Sequence, residues 1–247
     1  MKRIALIPAR FASTRFPNKL MQRLGDKTVI RHTYDNVRAT GLFSDVIVVT
    51  DHPDIYNEIN LHGGSAMMSK NEHESGSDRI AEAAASLDAE IILNVQGDEP
   101  FVNKEALAAL VTLFENPMEK VEVASLMKKI TEERLIHDVN CVKVVVDKQM
   151  NALYFSRNPI PFHRDKSEPR PDYHEHIGVY AFRKEALLQF TRWEMTALEK
   201  AEKIECLRYL ENGVRIKMAV TESASAKIDV PEDLARAETY LNLIQNQ

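Results

Sequence analysis

The sequence predicts an α/β protein built on a mainly parallel, doubly wound sheet with crossover helices. Three observations predict it. Short apolar, β-branched runs alternate with longer helical patterns through the first half of the chain, the signature of βαβ units. The Val/Ile runs are continuous and not alternating, as in strands buried on both faces. The chain has 247 residues, 44% of them hydrophobic, which is enough to bury a sizeable core.

Taken in order, "IALI" (4–7), "VIVVT" (46–50), "AMM" (66–68), "IILNV" (91–95) and "VASLM" (123–127) read as strands. "VKVVV" (142–146), "ALYF" (152–155), "IGVYAF" (177–182) and "IKMAV" (216–220) follow, with a hairpin-like region at about 142–157. Helices are expected from about Thr28 to Ala39, stopping at Gly41, and from "SGSDRIAEAAASL" with Ser75 or Ser77 as N-cap. Another begins at the Asn cap of "NKEALAALVTLFEN". A further helix is expected over "LEKAEKIECLRYLENG" (198–213), with Leu198, Ala201, Ile204 and Leu207 on its apolar face. "PFHRDKSEPRPDYHEH" (161–176) is polar and proline-rich and reads as an exposed excursion or flap.

Composition excludes several classes. No apolar run approaches the roughly 20 residues that span a bilayer, and "IALIP" is too short for a signal-peptide core. The two cysteines, Cys141 and Cys206, form no CxxC pair, so a reducing cytoplasm with buried or bystander thiols is expected. A net charge of −5 argues against general nucleic-acid binding.

Against that acidic balance, "IPARFASTRFPNK" (7–19) carries Arg10, Arg15 and Lys19 and no acid. It follows the first strand, at the edge of an α/β sheet where ligands bind. Walker A and dinucleotide glycine patterns are both absent. Side chains would therefore meet an anion here: two guanidiniums, the ammonium of Lys19, which is expected to be exposed, and the hydroxyls of Ser13 and Thr14. A solvated basic loop is the competing reading.

Two acids stand out at similar places. "NVQGDEP" (94–100) ends a buried strand and puts Asp98 and Glu99 at the same edge, where a plain turn is the alternative. "AKIDVPEDLARAE" sets Asp229 before a helix, where it can cap, with Glu232 completing a capping box. A carboxylate has acceptor sites enough to cap and still meet a cation. Mg²⁺ held by one or two carboxylates and substrate phosphates is the usual arrangement in nucleotide chemistry.

The segments "IPARFASTRFPNK", "HESGSDR", "NVQGDEP", "VKVVVD…ALYFSRNPIP", "HIGVYAFR" and "KIDVPEDL" occur in the order seen in 3-deoxy-manno-octulosonate (Kdo) cytidylyltransferases, the CMP-Kdo synthetases. The resemblance runs from Ile4 to about Ala237. It implies the reaction CTP + Kdo → CMP-Kdo + pyrophosphate, which serves lipopolysaccharide synthesis. It also implies a nucleotide-diphospho-sugar transferase-like fold over 1–247 as a single domain, with about 150–215 holding the sugar-binding and dimerisation region, including a small antiparallel element that pairs two subunits.

The resemblance implies site residues as well. Arg10, Ser13, Thr14, Arg15 and Lys19 would hold the triphosphate, with Arg79 and Gln96 on the nucleotide side. Asp98 and Asp229 would ligate Mg²⁺, and catalysis would rest on Lys19, Arg15 and Asp98. Arg157 and His176 would supply cations for the Kdo carboxylate, and Gln96 and Tyr180 would bond sugar hydroxyls. No residue is named as general base. A cytoplasmic homodimer with no nucleic-acid or membrane partner is implied.

Two departures from the family pattern matter. Asn18 stands where members commonly carry Gly, and Asn is the best-tolerated replacement if that position needs φ > 0. Glu205 is followed by Cys206 where members often place Gln beside an acid over the sugar. A related ulosonate such as 8-amino-Kdo, or a non-catalytic nucleotide-binding role, are the alternatives.

Overall fold

Arg3–Ala9 (β1) is the strand from which the site is built. Its apolar run Ile4–Ile7 is shielded from water on both faces. The structure, a computed structural model, describes residues 1–12, 16–71, 73, 75–222 and 227–245, with 244 and 245 described by backbone only. The chain divides into one unit of Met1–Leu107 with Ala224–Gln247 and a second of Ala108–Ser223.

In the first unit, β1 is followed by a small antiparallel hairpin, β2 (Arg23–Leu24) and β3 (Lys27–Thr28), which the residue pattern did not announce. Then come α1 (Val29–Ala39), β4 (Asp45–Thr50), α2 (Pro53–Leu61), β5 (Ala66–Met68), α3 (Gly76–Ser86) and β6 (Ile91–Asn94). The chain crosses to the second unit within α4 (Lys104–Leu113). The strand order is β6-β1-β4-β5, and every pair is parallel, as the continuous apolar runs require. The helix starts follow cap chemistry. Thr28 Oγ1 accepts the Arg31 N–H at 3.3 Å, Ser75 Oγ that of Asp78 at 3.1 Å, and Asn103 Oδ1 that of Ala106 at 3.0 Å. α1 stops where Gly41 takes φ 67°.

The second unit holds β7 (Val123–Lys129), α5 (Glu133–His137), β8 (Lys143–Val146), β9 (Ala152–Ser156) and β10 (His174–Arg183). α6 (Lys184–Phe190), α7 (Ala197–Glu202), α8 (Leu207–Glu211) and β11 (Ile216–Val220) follow, after which α9 (Pro231–Gln245) belongs to the first unit. β7 runs parallel to β11 and antiparallel to β10, and β8 and β9 form the expected hairpin. At its turn the Asp147 carboxylate accepts the N–H groups of Gln149 and Asn151, both at 2.8 Å. β10 shifts register between Ile177 and Tyr180, a bulge that re-aims the side chains beyond it.

Two expectations are corrected. The single helix over 198–213 is two, α7 and α8, broken at Lys203 with φ 53°. The break has a cause in Arg157, whose guanidinium takes the Glu202 and Lys203 carbonyls at 2.5 and 3.2 Å. Ile204 and Leu207 are buried as expected, but Leu198 and Ala201 are exposed. The excursion begun at Pro161 is irregular only to Tyr173, because His174, Glu175 and His176 already belong to β10.

Ser75 sets the start of α3, so Ser75→Ala should lower stability by about 1 kcal/mol, and Ser75→Asp by much less, in urea melts.

Candidate functional site

The loops after β1 and β6 lie side by side because those strands are parallel neighbours. Gly97 permits the close approach: a Cβ there would meet the Pro8 carbonyl oxygen at 3.1 Å and Ile30 Cδ1 at 3.1 Å. On the β1 side, Asn18 adopts φ 53° and ψ 30°, the left-handed conformation anticipated for it, and turns the chain into a short 3₁₀ segment, Lys19–Met21. This aims Lys19 at two acids. Its Nζ donates to Asp98 Oδ2 in a short contact, to Asp229 Oδ1 at 3.1 Å and to the Ile228 carbonyl at 3.2 Å. The side chain of Lys19 is only 16% exposed, so the expectation of an exposed lysine is corrected.

Asp229 is held by α9, though not through the expected box. The helix opens at Pro231, one residue too late for Asp229 to be its cap. The carboxylate that reaches back is that of Asp233, not Glu232, accepting the N–H groups of Asp229 and Val230 at 2.8 and 3.0 Å. The Ile228 N–H bonds the Asp98 carbonyl at 3.0 Å, so the two acid-bearing segments are also joined by backbone.

Lys19, Asp98 and Asp229 line a pocket of about 240 Å³, together with Arg10, Arg79 and Gln96. Ser13, Thr14 and Arg15 lie outside the described residues. The pocket adds two residues that the sequence reading missed, His73 and Lys227. Lys227 Nζ lies 3.5 Å from Asp229 Oδ2. Burial pulls its pKa down, but the charges of Asp98, Asp229 and Glu99 outweigh this and the net shift is upward. Its signal was a cation two residues before Asp229.

Among the described residues no three His, Cys, Asp or Glu side chains gather as a metal cage. Two carboxylates do converge on one cation, the Lys19 ammonium. Hard oxygen donors from two acids, beside cations suited to phosphate, fit Mg²⁺ bound jointly by protein and substrate phosphates.

The pocket wall along α3 is tied down. Arg79 is 3% exposed, and its Nη2 donates to Asp51 Oδ2 at 2.7 Å and its Nη1 to Ser69 Oγ at 3.0 Å. The pair is therefore buried on the arginine side, not a surface pair. One turn on, Glu82 accepts from the Lys70 N–H at 2.7 Å, Asn71 Nδ2 at 2.8 Å and His73 Nε2 at 3.0 Å. Burial raises the Glu82 pKa, and these donors lower it by more.

Of the residues expected on the sugar side, Arg157, His176, Tyr180 and Glu205 lie in the second unit and Gln96 in the first. His176 Nε2 is 2.9 Å from Ser125 Oγ, whose single proton goes to the Val179 carbonyl at 2.9 Å. Nε2 therefore carries the ring proton and donates. Burial pushes the His176 pKa down to about 4, so the ring is neutral near pH 7. Tyr180 packs edge-on to His176 and bonds Cys206, and burial first, then Cys206, raises its pKa. Glu205 is half-buried beside Cys206 and Tyr209, whose acidities it opposes. Arg157 bonds a third carbonyl, that of Val139 at 2.7 Å, so the structure shows its guanidinium fixing backbone.

The family profile described as "Cytidylyltransferase" matches residues 4–216. A 3-deoxy-manno-octulosonate cytidylyltransferase of Flavobacterium johnsoniae is 56% identical, with 98% of this chain and 99% of the relative covered. One from Christiangramia forsetii is 50% identical, covering 97% and 96%. Among solved structures, a CMP:2-keto-3-deoxy-manno-octonic acid synthetase complexed with CTP superposes with a TM-score of 0.93 at 31% identity, covering 98% and 99%.

Replacing Lys19 with Met removes the cation between two largely buried acids. The variant should lose about 2 kcal/mol in denaturant melts; an unchanged midpoint would show that the cluster does not stabilise the fold. For His176, NMR should find a neutral ring from pH 8 down to pH 5, with Nε2 protonated. Its folded pKa of about 4 lies below the unfolded value near 6.5, so its contribution to stability is complete above pH 6.5. That contribution should fade as the pH drops toward 4, and His176→Gln should remove that part of the pH dependence.

Proposed function

The chain belongs to the cytidylyltransferase family, and on that premise we propose that it transfers CMP from CTP to the anomeric hydroxyl of Kdo, releasing pyrophosphate. The observation that carries the reading is the convergence of Lys19, Asp98 and Asp229 in one pocket with Arg10 and Lys227. A binder of nucleotides has no need of paired acids facing a triphosphate; a transferase that handles the phosphates with a metal does.

In this reading the cations of the pocket receive the triphosphate. Arg10, Lys19 and Lys227 are fixed charges placed where negative charge grows on the leaving pyrophosphate as the α–β phosphate bond breaks. Asp98 and Asp229 would hold Mg²⁺, which when bound neutralises phosphate charge and lowers the pKa of the attacking hydroxyl. The protein orients the α-phosphate for in-line attack and keeps Lys19 between the two acids until ligands arrive. On the sugar side, Tyr180 and the neutral His176 offer hydrogen bonds rather than charge, which suits hydroxyl groups.

Two further properties belong to the same reading. A homodimer is supported by large apolar side chains on the surface of the second unit, with Leu153 61% and Phe162 83% exposed. A cytoplasmic location is supported by two free buried thiols, and no helix among the described residues is long and apolar enough to cross a membrane.

Pyrophosphate release from CTP should require both Kdo and Mg²⁺, with 8-amino-Kdo and sialate turned over more slowly. Asp98→Asn and Asp229→Asn should each cut turnover by roughly 10²-fold or more with little loss of stability. Release at wild-type rate from either variant would remove the acids from the mechanism. Light scattering at low micromolar concentration should report a dimer.

A further inference from the structure

We infer that Asp51 is a positioning residue for the nucleotide: it holds the basic loop and Arg79 in one register without entering the pocket itself. The inference rests on the nucleotidyl-transfer reading above.

Strand register places the parts. Ala9 of β1 is opposite Thr50 of β4, and Thr50 is opposite Met68 of β5. The next residues, Arg10, Asp51 and Ser69, therefore stand in a row at the carboxyl edge of the sheet, each leading into its own loop. At this edge the Ser69 N–H still bonds the Thr50 carbonyl at 2.8 Å, and the loop after β1 and the side chain of Arg79 are tied in by side chains.

Asp51 supplies this tie with both carboxylate oxygens. Oδ1 accepts the Phe11 N–H at 3.2 Å, and Oδ2 accepts Arg79 Nη2 at 2.7 Å. Phe11 directly follows Arg10, which lines the pocket, as does Arg79. Arg79 extends the tie to the third loop through Ser69, whose Oγ also donates to the Thr50 carbonyl at 3.2 Å. The adjacent His52 adds a second hold on the same loop. Its ring stacks on Phe11 with centroids 3.6 Å apart and planes 11° apart.

Charge explains why the residue is an acid. Arg79 is buried, and a buried guanidinium needs a counter-charge close by to keep one orientation. A neutral residue at position 51 would leave Arg79 its bond to Ser69 without a counter-charge, and would release the Phe11 N–H from the sheet edge. Both changes act on the nucleotide side of the pocket. Arg157, His176, Tyr180 and Glu205 of the second unit, expected on the sugar side, are not touched.

The test compares Asp51→Ala and Asp51→Asn with the wild type in two measurements: pyrophosphate release with CTP, Kdo and Mg²⁺, and calorimetric titration with CTP and Mg²⁺ alone. For Asp51→Ala, the KM for CTP should rise roughly tenfold and CTP binding weaken by a similar factor. The KM for Kdo should stay within about twofold, a split that a general loss of folding would not produce. Asp51→Asn should fall between, because one amide oxygen can still accept from Phe11 or Arg79 but carries no charge. Unchanged CTP affinity in Asp51→Ala, or equal rises in both KM values, overturns the inference. If Asp51→Ala does not fold, Asp51→Asn decides alone, and wild-type CTP affinity there is the overturning result. The titration needs no turnover, so a wild type that binds CTP but releases no pyrophosphate defeats the transfer reading and leaves the Asp51 comparison intact.

Discussion

One ammonium group organises the first unit. Lys19 Nζ meets Asp98, Asp229 and the Ile228 carbonyl, and so ties together three stretches of chain: the loop after β1, the loop after β6 and the segment before α9. Each segment is brought to the meeting point by its own local device: a left-handed Asn18, a glycine at 97 that lets backbones approach, and the Asp233 bonds at the start of α9. The acids could not be held so close without a cation between them, since like charges in a part-dry site repel. The pocket is thus electrostatically balanced before any ligand enters, and its acids are aligned in advance.

The second unit uses cations differently. Lys143 is fully buried, and its Nζ donates to the carbonyls of Asp138, Cys141 and Arg157 at 2.8, 2.5 and 2.6 Å. Burial lowers its pKa, as expected for a charge far from water. Arg157 then bonds the carbonyls of Val139, Glu202 and Lys203. Two long basic side chains satisfy carbonyls of irregular backbone, and Arg157, itself held through its carbonyl by Lys143, fixes the turn between α7 and α8. That turn carries Glu205 and Cys206 next to Tyr180.

Most of the fold was legible in the sequence because strands and caps are local. The nine apolar runs read as strands all appear, and Ser75 and Asn103 cap the helices assigned to them. Legibility failed where a distant partner decided the outcome. The break at Lys203 follows from Arg157, 46 positions earlier, and an i, i+3 apolar pattern has no access to that. The start of α9 slipped by one residue because Pro231, which has no N–H to lose, takes the first helical position and leaves Asp233, not Glu232, in range. His176 read as a cation because its type titrates near neutrality; its burial is a property of the packed unit. At the site, the acids and the basic loop are visible as motifs, but the pairing of Lys19 with both carboxylates is not. Lys227 and Asp51 went unnoticed, since a lysine or aspartate at a loop start is ordinary until its neighbours are known.

The placement of α9 in the first unit has a consequence for how the molecule is made. Lys19 and Asp229 are 210 residues apart, and the whole second unit is inserted between them. A ribosome delivers residues at about 5–20 per second, so roughly ten seconds or more separate the two partners during synthesis. The nascent first unit can pair its strands β1, β4, β5 and β6 in that interval. Its acid pair stays half-made until the chain has gone out through the second unit and returned. The nucleotide pocket is therefore among the last parts of the protein to exist, and a chain cut short before Asp229 carries a sheet and a basic loop but no paired acids.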